Sequence, residues 1–136
     1  MSPSAATRVL LDTTVLIDAL RGRLVVDRLR GLREAGSVPF VCAINVEEIA
    51  RGLRPDEQAP ARKLFDGLRV VALGRSEGER AGTWRREFAS RGTTLAQADC
   101  LIAAAAVSAG AVLATGNPKD FPMPELSVEH WPAGAQ

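Results

Sequence analysis

Four short apolar runs, each followed by a segment with helical spacing, set the tightest limit on what this chain can fold into. Arg8-Val-Leu-Leu-Asp12, Pro39-Phe-Val-Cys-Ala43, Arg69-Val-Val-Ala-Leu73 and Ala111-Val-Leu-Ala-Thr115 lack the apolar–polar alternation of a strand with one wet face. Such even runs read as strands buried on both sides, the habit of parallel sheets. Helical spacing follows at 13–20, 24–35, 45–53, 56–68 and 76–90, with Gly22 and Gly36 as stops. Thr94-Leu-Ala-Gln97 fits a capping box that opens a further helix, running to Ser108 before Gly110. A polar turn at 116–119 leads to a short last strand at 126–129. Strands alternating with helices, with no repeat or linker, predict one domain over residues 1–136. The expected fold class is α/β, a three-layer α/β/α arrangement around a mostly parallel central sheet.

Composition narrows the class without naming a function. With 136 residues, 46% hydrophobic and 24% charged, the chain can bury a real core. No apolar run approaches the roughly 20 residues needed to cross a bilayer, and residues 1–8 do not resemble a secretory signal, so no membrane partner and a cytoplasmic location are expected. Cys42 and Cys100 fit neither a disulfide framework nor a zinc site and read as small buried hydrophobes. Net charge is only +1, but it is unevenly spread. Residues 21–91 carry fourteen of the fifteen arginines and Lys63 against ten acids, whereas the two ends carry Arg8 and Lys119 against six. Either the middle is a set of solvated helices, or basic helices flank an acidic pocket suited to an anionic substrate.

Open parallel sheets bind ligands beyond the carboxyl ends of their strands. Asp12 ends the first run there; Thr115, with Asn117 and Asp120 just beyond, ends the fourth. Asp12 alone could be a helix cap, for which aspartate is favoured. Asp99 is harder to explain structurally, because it is the sole charge in Leu95-Ala-Gln-Ala-Asp-Cys-Leu-Ile-Ala-Ala-Ala-Ala-Val107. A helix dipole favours an anion in its first turn by roughly 0.3–1 kcal/mol, too little to explain a carboxylate inside an apolar helix. Glu47 and Glu48 both lie off the apolar face formed by Val46, Ile49, Ala50 and Leu53, so periodicity does not choose between them. Gly52, one turn after Glu48, is expected to leave room for another segment. Acids gathered at one sheet edge repel unless a cation neutralises them, and with only oxygen donors the natural guest is Mg²⁺ or Mn²⁺. The single histidine, His130, rules out a histidine acid–base pair, and no phosphate-binding glycine loop is present.

Val9-Leu-Leu-Asp-Thr-Thr-Val-Leu-Ile17, Val46-Glu-Glu-Ile-Ala-Arg-Gly52, Ala98-Asp-Cys-Leu-Ile-Ala-Ala104 and Thr115-Gly-Asn-Pro-Lys-Asp-Phe121 resemble, in order, the motifs of PIN-domain proteins. The nearest likeness is to VapC-type toxins of bacterial toxin–antitoxin pairs, and it extends to Val128-Glu-His-Trp131. The resemblance implies a Mg²⁺-dependent endoribonuclease with an RNA substrate, a cognate VapB-like antitoxin and a homodimeric state. It implies Asp12, Glu48, Asp99 and Asp120 as the catalytic acids, with Asp12, Asp99, Asp120 and Asn117 around the metal. Thr14 and Thr115 match the family's hydroxyl positions. Asparagine at 117, where some members have aspartate, leaves open which of Asn117 and Asp120 is the fourth site residue and whether a second ion binds. Two other classes compete. A non-catalytic interaction module would keep the fold without turnover. A receiver-like phospho-acceptor module needs an acidic pair on its first strand, where this chain has Asp12 alone.

Overall fold

The computed structural model describes residues 7–134. Its strands are β1 (Arg8–Leu11), β2 (Val38–Cys42), β3 (Arg69–Val71), β4 (Val112–Thr115) and β5 (Val128–His130). Its helices are α1 (Thr13–Leu20), α2 (Val25–Glu34), α3 (Ala43–Arg51), α4 (Gln58–Asp66), α5 (Arg75–Ser90) and α6 (Gln97–Ser108). The strands form one sheet in the order β3-β2-β1-β4-β5, and every neighbouring pair is parallel. The α/β/α architecture with a parallel sheet is the one the apolar runs predict.

Both faces of β1, β2 and β4 are covered, which is why these strands read as continuous apolar runs; the third run does not share that burial, because β3 is an edge strand and leaves Arg69 and Val70 exposed. Leu10, Cys42 and Leu113 point to one face, where Ala81 and Trp84 of α5, the buried side of α6, and Phe121, Met123 and Leu126 complete a core. Val9, Leu11, Val41 and Ala114 point to the other, against Val15 and Leu16 of α1, Leu29 of α2, Ile49 of α3 and Trp131. Successive side chains on a strand alternate between faces, so one unbroken apolar run feeds two cores. Ala103 to Ala106 are fully buried, and these small side chains let α6 lie close beneath the sheet and α5.

Element ends differ from the sequence pattern by a few residues. Helix α3 begins at Ala43, α4 follows a 3-10 turn at Pro55–Glu57, and β5 lies at Val128–His130 rather than 126–129. The capping box expected at Thr94 does not form. Helix α6 starts at Gln97, with Ala96 at the N-cap position in an extended conformation (ψ 140°). The cause is tertiary: Leu95 is buried in the core and its carbonyl accepts from Arg85 Nε, which keeps residues 94–96 out of the helix. Leu24, the first residue of the segment with helical spacing at 24–35, lies just before α2 and is largely exposed.

The strand order positions the site. From β1 the chain runs outward through β2 and β3, then returns to place β4 on the other side of β1. The connections therefore diverge between β1 and β4, opening a crevice at the strands' carboxyl ends, where such sheets bind ligands.

Candidate active site

Asp12 follows β1 and occupies the N-cap position of α1, yet its carboxylate makes no capping hydrogen bond. It faces the crevice instead. Thr115 Oγ1, at the end of β4, donates to Asp12 Oδ2 at 2.7 Å, and Thr14 Oγ1 donates to the same oxygen at a longer 3.4 Å. Burial pushes the Asp12 pKa up; the Thr115 hydroxyl, the neighbouring Thr13 backbone N–H and the Thr14 hydroxyl oppose that, while the Glu48 charge adds to the rise.

Three threonines share one device. A hydroxyl has a single proton, and it points wherever the other partners leave it free to point. Thr115 Oγ1 accepts from the Asn117 backbone N–H at 3.0 Å, so its proton goes to Asp12. Thr14 Oγ1 accepts from the Gly116 N–H at 3.0 Å and also turns its proton to Asp12. Thr13 Oγ1 accepts from Asn45 Nδ2 at 3.2 Å and donates to Glu48 Oε1 at 2.7 Å. Asn45 is fully buried and held in turn by the Cys42 backbone N–H, which donates to its Oδ1 at 2.9 Å. Each carboxylate thus receives a directed hydroxyl donor that fixes its orientation.

This arrangement separates Glu48 from Glu47. Glu48 is half-buried and bonded to Thr13, whereas Glu47 is exposed and paired with Arg51 at 3.5 Å along the same helix. The expectation attached to Gly52 does not hold. A Cβ there would meet only carbonyl oxygens of its own helix, at 3.8 and 4.0 Å, and no other segment approaches. The glycine that a close approach does require is Gly116, hemmed in by Ala133 and Thr14.

Asp99 lies in the first turn of α6, half-buried. Its pKa is pushed from the ordinary 3.8 to about 6, first by burial and then by the negative charges of Asp12, Asp120 and Glu48. That coupling brings the acids of four separate segments into one electrostatic site. Asp120 ends a 3-10 turn at Pro118–Asp120 and is exposed. Asn117 is exposed as well and bears on the site through its backbone N–H on Thr115. Thr13 and Asn45 escaped the sequence reading. The Thr13-Thr14 doublet directly after Asp12 was the available signal for the first; nothing local marked Asn45.

The donor set suits a hard divalent cation, being all oxygen, negatively charged and repulsive at Asp99 without one. Among the described residues no three His, Cys, Asp or Glu side chains stand close enough to form a ready-made metal cluster. A divalent ion such as Mg²⁺ does not require such a cluster, since it keeps several waters and commonly takes one or two carboxylates directly.

Residues 9–122 match the model of the PIN domain, so the chain belongs to the PIN-domain family, as its four motifs imply. Solved structures share the fold along nearly the whole chain. A chain of VapBC2 from Rickettsia felis, bound to a DNA fragment from their promoter, superposes with a TM-score of 0.83 at 22% identity, covering 92% of this chain and 99% of that one. A chain of DNA-bound VapBC from Salmonella typhimurium gives 0.79 at 25% identity, covering 92% and 98%. FitAcB from Neisseria gonorrhoeae gives 0.72 at 23%, covering 91% and 97%. No curated protein matches the sequence significantly. No helix among the described residues is long and apolar enough to cross a membrane.

Proposed function

We propose that this protein is a Mg²⁺-dependent endoribonuclease and the toxin of a toxin–antitoxin pair. The observation that carries the reading is the convergence of Asp12, Glu48, Asp99 and Asp120 at the switch point of a PIN fold, with hydroxyl protons aimed at two of them. Asp12, Asp99, Asp120 and Asn117 are the residues that would hold the ion, with Glu48 adding negative charge to the site. A bound Mg²⁺ supplies charge neutralisation at a phosphoryl oxygen and a lowered pKa for water. The chain's own part is positioning. Thr13, Thr14 and Thr115 fix the Asp12 and Glu48 carboxylates in place through their hydroxyl hydrogen bonds, and Asp99 changes charge with pH or with a cation.

Arg85 is a natural substrate contact. Its bond to the Leu95 carbonyl holds it four residues before Asp99, and its charge reaches Cys100. A single-stranded RNA can bend its phosphate into such an acidic crevice between basic side chains, whereas a stiff duplex cannot. Direct attack by water, with no histidine pair to activate the ribose 2′-hydroxyl, leaves a 5′-phosphate and a 3′-hydroxyl.

The partner reading rests on the neighbours being VapBC complexes and on the surface of the helical layer that bears α1, α2 and α4. A groove of about 400 Å³ between α3 and α4 is lined by Val46, Leu53, Ala61 and Phe65, with Arg62 and Asp66 at its edge. An amphipathic antitoxin helix suits it, with its apolar face in the groove, an acid toward Arg62 and a base toward Asp66. Expression of the chain alone should arrest growth, and co-expression with a small VapB-like antitoxin should relieve the arrest and yield a complex. Growth that continues unaffected, with no complex formed, would refute the toxin reading.

A further inference from the structure

The buried polar side chains among the described residues are Asp12, Asp18, Asn45 and Thr115, and the site above uses all of them except Asp18. Asp18 sits on α1, 4% exposed. Arg23 Nη1 donates to its Oδ1 at 2.7 Å, and the backbone N–H of Gly134 donates to its Oδ2 at 2.8 Å. Burying a carboxylate carries a desolvation cost that an ion pair offsets only in part, and an apolar side chain would pack there without it. What the carboxylate achieves is a tie to a residue 116 positions later in the chain.

The segment tied down lies against the candidate site. Trp131 is buried, and its backbone N–H donates to the Thr115 carbonyl at 2.8 Å. Ala133 then crosses Gly116 so closely that a Cβ on Gly116 would stand 2.8 Å from the Ala133 Cβ and 3.2 Å from its nitrogen. Gly116 in turn donates its N–H to Thr14 Oγ1, the hydroxyl whose proton faces Asp12. Gly134 has φ +79°, a conformation that glycine adopts at no steric cost, and in it the N–H meets Asp18. Contacts therefore run without a gap from Asp18 through Gly134, Ala133, Gly116 and Thr14 to the Asp12 carboxylate.

We propose that residues 131–134 form a strap which Asp18 holds across Gly116, and that Asp18 is a positioning residue for Asp12. The proposal rests on Asp12 being a metal-binding acid, as in the function above, for its consequence but not for its geometry. The competing role for Asp18 is purely local: pairing with Arg23 to fix the turn between α1 and α2.

The test uses the full chain and Mn²⁺ alone, titrated by calorimetry, together with the ¹⁵N–¹H resonance of Gly116. Gly134→Pro removes the donor at an exposed end of the chain and cannot adopt φ +79°, while leaving both cores intact. It should move the Gly116 resonance and weaken Mn²⁺ binding by roughly threefold to tenfold, the worth of one net hydrogen bond. Asp18→Ala should do the same, whereas Asp18→Asn, still an acceptor for the Gly134 N–H, should retain parental affinity and shift. Gly134→Pro with both readouts at parental values would overturn the strap. So would Asp18→Asn losing as much as Asp18→Ala, since that result assigns the residue to Arg23. If the parent binds no Mn²⁺, the metal reading of the site falls, and the Gly116 resonance alone decides the strap.

Discussion

Asp99→Asn should make the metal-free protein more stable at neutral pH, and the pH dependence of that gain is fixed in advance. In the folded chain, burial and the charges of Asp12, Asp120 and Glu48 lift the Asp99 pKa from 3.8 to about 6. Below about pH 4 both folded and unfolded chains carry the proton, and the residue costs nothing. Between about 4 and 6 the unfolded chain releases its proton while the folded chain holds it, so stability falls as pH rises. Above about 6 both forms are ionised and the penalty is constant. The displacement converts, at about 1.4 kcal/mol per pH unit, to an upper limit of about 3 kcal/mol. Asp99 is only half-buried, and solvent screening reduces this to about 1–2 kcal/mol. Denaturant unfolding of parent and variant in EDTA, from pH 4 to 8, measures the difference directly. The variant should match the parent near pH 4 and exceed it by that amount at pH 7, and added Mg²⁺ should raise the stability of the parent alone. A variant less stable than the parent at pH 7, or a difference that does not grow between pH 4 and 6, would show that Asp99 carries no such penalty in the folded chain.

Three further outcomes follow from the same geometry. Thr115→Val removes the short hydroxyl bond to the buried Asp12 carboxylate; it should cost about 1–3 kcal/mol in denaturant unfolding and lower cleavage together with it. Glu48→Gln should lower cleavage on the order of tenfold or more while Glu47→Gln stays near the parent, because only Glu48 receives the Thr13 hydroxyl; steady-state kinetics on one RNA separates them. Arg85→Ala should raise KM for RNA and reduce the salt slope of binding by about one, leaving kcat within about twofold, as fluorescence titration at several salt concentrations would report.

The sequence carried the fold in its apolar runs because parallel strands buried on both faces cannot tolerate polar residues at alternate positions. Asp99 stood out as the sole charge in an apolar helix, whereas Asp12, at the end of its run, could equally have been a helix cap until the structure showed its carboxylate bonded to Thr115 instead. The choice between Glu47 and Glu48 was not legible from periodicity, since both flank the apolar face of α3; the motif resemblance named Glu48, and only the Thr13 hydroxyl, reaching from α1, gives the geometric reason. Gly52 misled as an argument for Glu48, while Gly116, inside the turn read as merely polar, is where two segments meet. The capping box at Thr94 failed because Leu95 and Arg85 hold the preceding residues extended, a tertiary constraint that a four-residue pattern does not contain. Asp18 was invisible for a related reason. An aspartate on an amphipathic helix ordinarily faces water, and its burial depends on a tail more than a hundred residues away.

On this reading the four acids support metal-dependent hydrolysis of RNA by water. Cleavage of a single-stranded RNA by the purified protein in Mg²⁺, with analysis of the new ends, tests it most directly. The new ends should be a 5′-phosphate and a 3′-hydroxyl, with cleavage abolished by EDTA and by Asp99→Asn. A 2′,3′-cyclic phosphate end, or cleavage undiminished in EDTA, would contradict it.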